Sequence, residues 1–314
     1  MTKCTRCKNT EIIKKGKRKT KLGSRQLYYC KSCRKGFADS KLQYKTYGTK
    51  VIVSALIYYN LGSTLEESAK LTNKRFKVKI SKSSVSQWLK EFSSICTYCK
   101  LREKVSKNYG KKILVSKTFT HSGLAYNFKY HRPKLEILCS SDGLQTLKEY
   151  IENFSRKGCP EFFNDIKNRC SQTKIKVKIK TESRYNNACK LSDLALKSCS
   201  LNSKRYLTVE NFMLANDSST ISIEVPVWFW EKNLNIGMNG HTDILQIRQG
   251  KIFVLDFKPE ATRENELKVS SQLYLYALGL SFRTSIPLAN FICAWFDNKT
   301  YYEFNPVEAK VSFK

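Results

Sequence analysis

Three side chains with chemical potential stand where the chain is most apolar. Within GHTDILQIRQGKIFVLDFKPE, Asp243 and Asp256 sit on two apolar runs, and Lys258 follows two residues after the second. A charge desolvated alone costs several kcal/mol. These groups therefore either sit at strand ends in water or share a site with a cation. Asp256 and Lys258 are two apart, so on a strand both point to one face. Two carboxylates on one face raise each other's pKa unless a divalent cation lies between them. Hard oxygen ligands suit Mg²⁺ or Mn²⁺, completed by water and a phosphate oxygen. A nearby lysine can then position or help deprotonate the attacking water, or neutralise charge on the phosphorane. With the metal lowering the water's pKa, this is a minimal set for phosphodiester hydrolysis. The competing interpretation of Asp256 and Lys258 is an exposed strand-end ion pair.

A second set lies at the other end of the chain. Cys4, Cys7, Cys30 and Cys33 follow the pattern C-x2-C-x22-C-x2-C. Each C-x-x-C forms a tight knuckle, and four thiolates close a tetrahedral structural Zn site. A piece of this size builds no core, so the metal must supply its folding energy. Redox dithiols are the alternative. Cys96 and Cys99 form a third pair, and Cys139, Cys159, Cys170, Cys189, Cys199 and Cys293 are scattered. An iron–sulfur cluster needs a second close pair that this spacing lacks, so these read as buried, inert thiols. His121, His131 and His241 read as surface or packing residues.

The elements that must position these groups fall into four stretches. Residues 1–40 predict a small β zinc ribbon with turns at Gly16 and Gly23. Residues 41–100 carry apolar residues at three- and four-residue spacing, with Gly62 ending one helix and Ser63 or Thr64 capping the next. ISKSSVSQWLKEF then predicts a recognition-type helix, giving an all-α helix-turn-helix. Residues 101–205 predict a mainly helical region, with helices at DGLQTLKEYIENFSRK, CPEFFNDIKNRC and YNNACKLSDLALKSC and a strand at KKILVSKTFT. Residues 206–314 predict strands with a helix between them. STISIEVPVWFW is one strand, and HTDILQIR follows a turn at NIGMNG. GKIFVLDFKP has the continuous apolar character of a central strand. A helix in TRENELKVSSQLYLYALGL is capped by Thr262, and ANFICAWFDNKTYYEFNP gives two strands around Asp297–Asn298. The expected class is multidomain, with an α/β core built on a mixed central sheet.

The chain has 314 residues and a formal net charge of +31. Residues 1–50 hold 16 Lys and Arg against 2 Asp and Glu, a surplus of 14. Such a surplus is a statement about partners, and DNA is the expected one, because Lys and Arg release counterions from phosphates. No run approaches 18 apolar residues and the N-terminus is not signal-like, so a soluble, cytoplasmic protein with no membrane partner is expected.

The C-terminal constellation resembles the PD-(D/E)xK nuclease superfamily, in particular its RecB-like branch, which includes CRISPR-adaptation exonucleases. The residues that carry the likeness are G-x-x-D at Gly240–Asp243, D-x-K at Asp256–Lys258 and Q-x-x-x-Y at Gln272–Tyr276, over about residues 206–310. The resemblance implies a restriction-endonuclease-like core in which Asp243 and Asp256 bind the metal and Lys258 is the catalytic lysine. It also implies Glu224 as an upstream acidic ligand. Gln272 and Tyr276, one helical turn apart, would face the site together. RecB-like enzymes often use an upstream His for metal; His121 and His131 are candidates. Residues 1–95, through the C-x-x-C pairs, YYCKSCRKGF and STLEESAKL…SSVSQWLKEF, resemble the front end of insertion-sequence transposases, which implies DNA targeting. Together these point to a Mg²⁺- or Mn²⁺-dependent deoxyribonuclease of a mobile element or genome-defence system, nucleoid-associated if prokaryotic. A homodimer would be needed for coordinated double-strand breaks. The alternatives are a transposase, whose core needs three separated carboxylates, and a non-catalytic DNA-binding regulator.

Overall fold

The computed structural model describes residues 3, 4, 6, 7, 9–20, 23–38, 46–102, 105, 113–140, 143–172, 175–199 and 201–313. Three antiparallel strands open the chain: β1 (Ile12–Thr20), β2 (Gly23–Cys30) and β3 (Gly36–Ala38). They carry the second thiol pair at their end. Three helices follow, α1 (Thr49–Asn60), α2 (Leu65–Phe76) and α3 (Lys82–Glu91). Gly62, at φ 103°, takes the chain out of α1. The Thr64 hydroxyl accepts from the Glu67 amide at 3.1 Å, and Glu67 accepts from the Thr64 amide at 2.9 Å. This reciprocal capping starts α2 at the predicted place. Ser81 caps α3. The turn between α2 and α3 is pinned by Asn73, whose side chain both donates to and accepts from the Ile80 backbone. A short α4 (Tyr98–Arg102) follows.

Residues 101–205 hold the helices expected at DGLQTLKEYIENFSRK and YNNACKLSDLALKSC and the strand expected at KKILVSKTFT, with more strands than that reading gave. They contain α5 (Arg132–Leu138), α6 (Gln145–Lys157) and α7 (Asn187–Ser198), but also five strands. These are β4 (Leu114–His121), β5 (Leu124–His131), β6 (Asn168–Arg169), β7 (Ile175–Lys178) and β8 (Glu182–Arg184). The predicted helix at 159–170 is only a single turn, Glu161–Phe163, ahead of β6. Asn239 pins this turn by donating to the Phe163 and Ile166 carbonyls. A tertiary contact thus overrides local spacing.

Then come α8 (Arg205–Asn216), β9 (Thr220–Glu231), β10 (Ile236–Arg248), β11 (Lys251–Phe257), α9 (Glu266–Thr284), β12 (Phe291–Phe296), β13 (Tyr301–Phe304) and β14 (Lys310–Phe313). Two expected boundaries move. The residues NIGMNG lie largely within β10, and the reversal is at 232–235. Asn265, not Thr262, caps α9 by accepting from the Lys268 amide at 3.1 Å.

Most of these strands form one large mixed sheet in the order β4-β5-β9-β10-β11-β12-β13-β8, with β6 paired to β10. β9, β10 and β11 are an antiparallel meander, and β12 returns parallel to β11 by way of α9. One face buries Leu245, Ile247, Ile252 and Val254 with α6 and α9. The other buries Ile244, Leu255 and Phe257 with α7 and α8. The second core also takes in Val51, Ile52, Leu56, Val85 and Trp88, so the N-terminal helices and the sheet share one apolar interior. A buried bond from Asn60 to Asn216 at 2.8 Å joins the ends of α1 and α8. β7 and β14 form a separate ribbon against α9.

The C-terminal end of α8 is finished by Lys134. This fully buried amine donates to the carbonyls of Leu214 at 2.5 Å and Asp217 at 2.6 Å. Burial pulls its pKa down to about 7, with Asp217 opposing. The unfolded value is about 10.4. Stability from this group is therefore present above the unfolded pKa and is lost as pH falls through about 7, where the buried amine must charge. Lys134→Met leaves two helix-end carbonyls unpaired and is expected to lower stability by about 1–3 kcal/mol in alkaline buffer. The deficit should shrink at mildly acid pH. Denaturant unfolding of both proteins on either side of neutrality checks this; equal deficits at both pH values would refute it.

Candidate active site

Strand register sets the centre of the site. Thr242 pairs with Val225 and Ile244 with Ile223, which places Asp243 opposite Glu224. Ile244 also pairs with Leu255, so Asp256 is the next partner outward from Asp243 on the other side. Glu224, Asp243 and Asp256 thus occupy one row across three adjacent strands. Side chains directly opposite in antiparallel strands lie about 4.5–5.5 Å apart at Cβ, and like charges there are destabilising. Glu224 has φ 53°, a left-handed conformation inside a strand that a non-glycine residue adopts only at some cost.

A fourth carboxylate comes from α8. Glu210 is 2% exposed on a helix face otherwise occupied by Val209, Phe212 and Met213. Burial raises its pKa well above the ordinary carboxylate value, and Glu224 and Asp256 push it further. Burial likewise raises Asp243, reinforced by Asp256, Glu210 and Glu224. Sequence inspection missed Glu210. Its signal was a single acid on the apolar stripe of VENFMLAN.

Lys258 stands beside this row, with Nζ 2.8 Å from Asp256 Oδ2. Burial opposes its charge, yet Asp256 and Asp243 hold its pKa above the ordinary lysine value, so it stays protonated. Among the described residues, Glu210 Oε2 is buried without a hydrogen-bond partner. On the other flank, His241 Nδ1 lies 2.8 Å from Glu224 Oε2. The rings of His121 and Tyr126 stand 5.6 and 4.0 Å from the His241 ring. His121 is buried and burial lowers its pKa to about 4. His131 is packed 4.5 Å from the Tyr98 ring, beside Lys134.

Helix α9 closes the site from the apolar side. Gln272 Nε2 donates to the Tyr276 hydroxyl at 3.1 Å. Tyr276 is 4% exposed, and burial raises its pKa, followed by Cys170, Asp243 and Asp256. Its ring lies against Gly240: a Cβ added there would sit 2.6 Å from Tyr276 Cε1 and 3.4 Å from Cys170. The glycine that precedes Asp243 on β10 is thus a packing requirement of the tyrosine. Gly240→Ala is expected to displace the ring and destabilise the protein by about 1–3 kcal/mol, and to loosen Gln272. Thermal melting tests this, and an unchanged melting temperature would contradict the contact.

The predicted residues Glu224, Asp243, Asp256 and Lys258 are therefore brought together, with Tyr276 beneath them and Gln272 held by Tyr276. The crowded acids, with Glu210 Oε2 buried and without a hydrogen-bond partner and Asp256 paired to Lys258, are hard oxygen donors of the kind that suits a dication. Their oxygens are not drawn as tightly as the four thiols. Among the described residues, Cys4, Cys7, Cys30 and Cys33 are the one group of three or more such ligands whose atoms all lie within 4.8 Å of one another. Cys4 Sγ is 3.6 Å from Cys33 and Cys7 Sγ 3.5 Å from Cys30. The Cys7 amide, foremost, lowers the Cys4 thiol to about 6, while burial raises Cys33 to about 12. This cluster could bind a zinc ion. Cys96 and Cys99, by contrast, are buried apart from it.

Comparison with protein families, with characterised proteins and with solved structures gives no significant match. The chemistry must be read from the site itself. Among the described residues no helix is long and apolar enough to cross a membrane.

Proposed function

We propose that this chain is a Mg²⁺- or Mn²⁺-dependent deoxyribonuclease of the PD-(D/E)xK type, directed to DNA by its zinc ribbon and helix-turn-helix. The observation that carries this reading is the row Glu224–Asp243–Asp256 beside Lys258, with Glu210 converging from α8. Such a row is costly unless a cation is shared. The mixed sheet with parallel β11 and β12 supports a restriction-endonuclease-like core.

In this reading Asp243 and Asp256 hold the ion, with Glu224 and Glu210 completing the acidic shell. A bound Mg²⁺ or Mn²⁺ supplies a lowered water pKa and takes up charge on the leaving oxygen. Lys258, kept protonated by its carboxylates, offers an ammonium to the developing phosphorane charge; this favours electrostatic help over proton abstraction. Gln272 and Tyr276 position the floor of the site.

The surplus of positive charge supports DNA as the partner. The shared core of α1–α3 with α7, α8 and the sheet bears on targeting. A recognition helix built into the same interior as the acids would set the cut at a constant offset from the site it reads. The reading extends to a cytoplasmic protein of a mobile element or defence system, dimeric where both strands are cut together.

The test is incubation of purified protein with linear and circular, single- and double-stranded DNA, with Mg²⁺ or Mn²⁺, beside Asp256→Asn. Metal-dependent cleavage by the wild type alone is expected. No cleavage of any of these DNAs would overturn the reading.

A further inference from the structure

The rim of the acidic site carries an exposed aromatic ring that the proposed hydrolysis does not use. Tyr206 lies four residues before Glu210 on α8, so both project from one side of the helix, about 6 Å apart along its axis. Glu210 is buried among the carboxylates, whereas Tyr206 is 43% exposed. The Tyr206 ring meets Phe257 edge-on, with centroids 5.7 Å apart and planes at 76°. Phe257 points to the α8 side of β11, opposite to Asp256 and Lys258, and the charges of Lys258, Asp256 and Asp243 still reach Tyr206, so it stands at the edge of the site. Leu201 and Leu207 nearby are 54% and 47% exposed, and Lys204 and Arg205 stand between them. An exposed ring flanked by Lys204 and Arg205 and within electrostatic reach of Lys258 and Asp256 suits one ligand chemistry: a base next to its phosphate.

We infer that Tyr206 is a stacking platform for an unpaired nucleobase of the strand being cut, so that single-stranded or splayed DNA is the substrate of this site. The inference rests on the nuclease reading for the scissile phosphate, but the stacking itself does not require cleavage. In a duplex the base faces are covered by their neighbours and a ring beside the backbone reaches none of them. An unpaired base offers its π-face, whatever its identity, and each such stack is worth about 1–3 kcal/mol. Lys204 and Arg205 supply the charge that tracks the flanking phosphates.

The test measures binding of a short single-stranded oligodeoxynucleotide, and of the blunt duplex of the same sequence, without added divalent cation. Tyr206→Ala is expected to weaken single-strand binding about tenfold to a hundredfold and to leave duplex binding unchanged. Tyr206→Phe and Tyr206→Trp should bind single strands like the wild type, because each keeps a ring. Melting temperatures of the variants show that all are folded. Full single-strand affinity in Tyr206→Ala would overturn the inference. So would a Phe variant as weak as Ala, which would assign the effect to the hydroxyl. Parallel loss of duplex binding would also overturn it, as would a change in native mass with binding intact, which would make the rim a contact between copies. Stacking without any metal-dependent cleavage would leave this inference standing and refute the nuclease reading alone.

Discussion

Lys258→Ala is expected to lower metal-dependent DNA cleavage roughly a hundredfold to a thousandfold, the usual loss when one charge-stabilising group is removed from a site. The metal should still bind, because the four carboxylates remain. Asp256→Asn and Asp243→Asn should remove both cleavage and metal binding. They also carry an opposite expectation for stability. Asp243 is raised by burial and by the acids around it, so the ionised row strains the metal-free fold. Asp243→Asn removes one member of that row and should raise the melting temperature of the metal-free protein. The wild type, in turn, should gain stability from added Mn²⁺ by mass action, and the variant should not. Cleavage assays and melting with and without Mn²⁺ read both effects. Equal cleavage by wild type and Lys258→Ala would make the D-x-K an ornament of β11. A Mn²⁺-induced stabilisation that survives Asp243→Asn would place the ion elsewhere.

Cys30→Ser is expected to unfold the ribbon of β1–β3 while the rest of the chain keeps its melting temperature. Neither apolar core includes a described residue of these strands. Their cohesion must come from the ladder and from the four thiols. Structural zinc supplies an apparent ~10–16 kcal/mol in peptides of this kind, far more than such a ribbon has otherwise. The wild type should contain one zinc per chain by elemental analysis, and the variant little. Hydrogen exchange should speed up over residues 9–38 only. DNA binding should weaken, and its salt dependence flatten by about 0.9 log units for each phosphate that the unfolded ribbon no longer neutralises. Protein purified without chelators and found free of zinc would sink this expectation.

What could be read without coordinates were features whose physics is local. The C-x-x-C pairs announce a metal knuckle through spacing alone. Thr64 with Glu67 marks the start of α2, because capping is a contact across three residues. The strands β9, β10, β11 and β12 show in their apolar runs, and Asp243, Asp256 and Lys258 stand out because a charge on such a run demands a reason. What could not be read depends on contacts between distant segments. The stretch at 159–170 has helical spacing, but Asn239 pins its turn and β6 pairs with β10. The strand expected at KKILVSKTFT is β4, but β5 joins the sheet from a stretch with no strand signal of its own, because weak alternation suffices once β4 and β9 offer it partners.

For the chemistry, the sequence by itself determined the acidic side chains, the lysine and the order in which they occur along the chain. It also determined the large surplus of positive charge. Only the tertiary structure decided that Glu224, Asp243 and Asp256 share one row, since register is a relation between strands. It decided that Glu210 belongs with them, because a lone acid on a helix face means nothing until that face is packed. It decided why residue 240 is glycine, which is the ring of Tyr276 on the following helix. It decided, too, that the N-terminal helices are built into the same interior as the acids, because a shared apolar core is a property of packing that no single segment encodes.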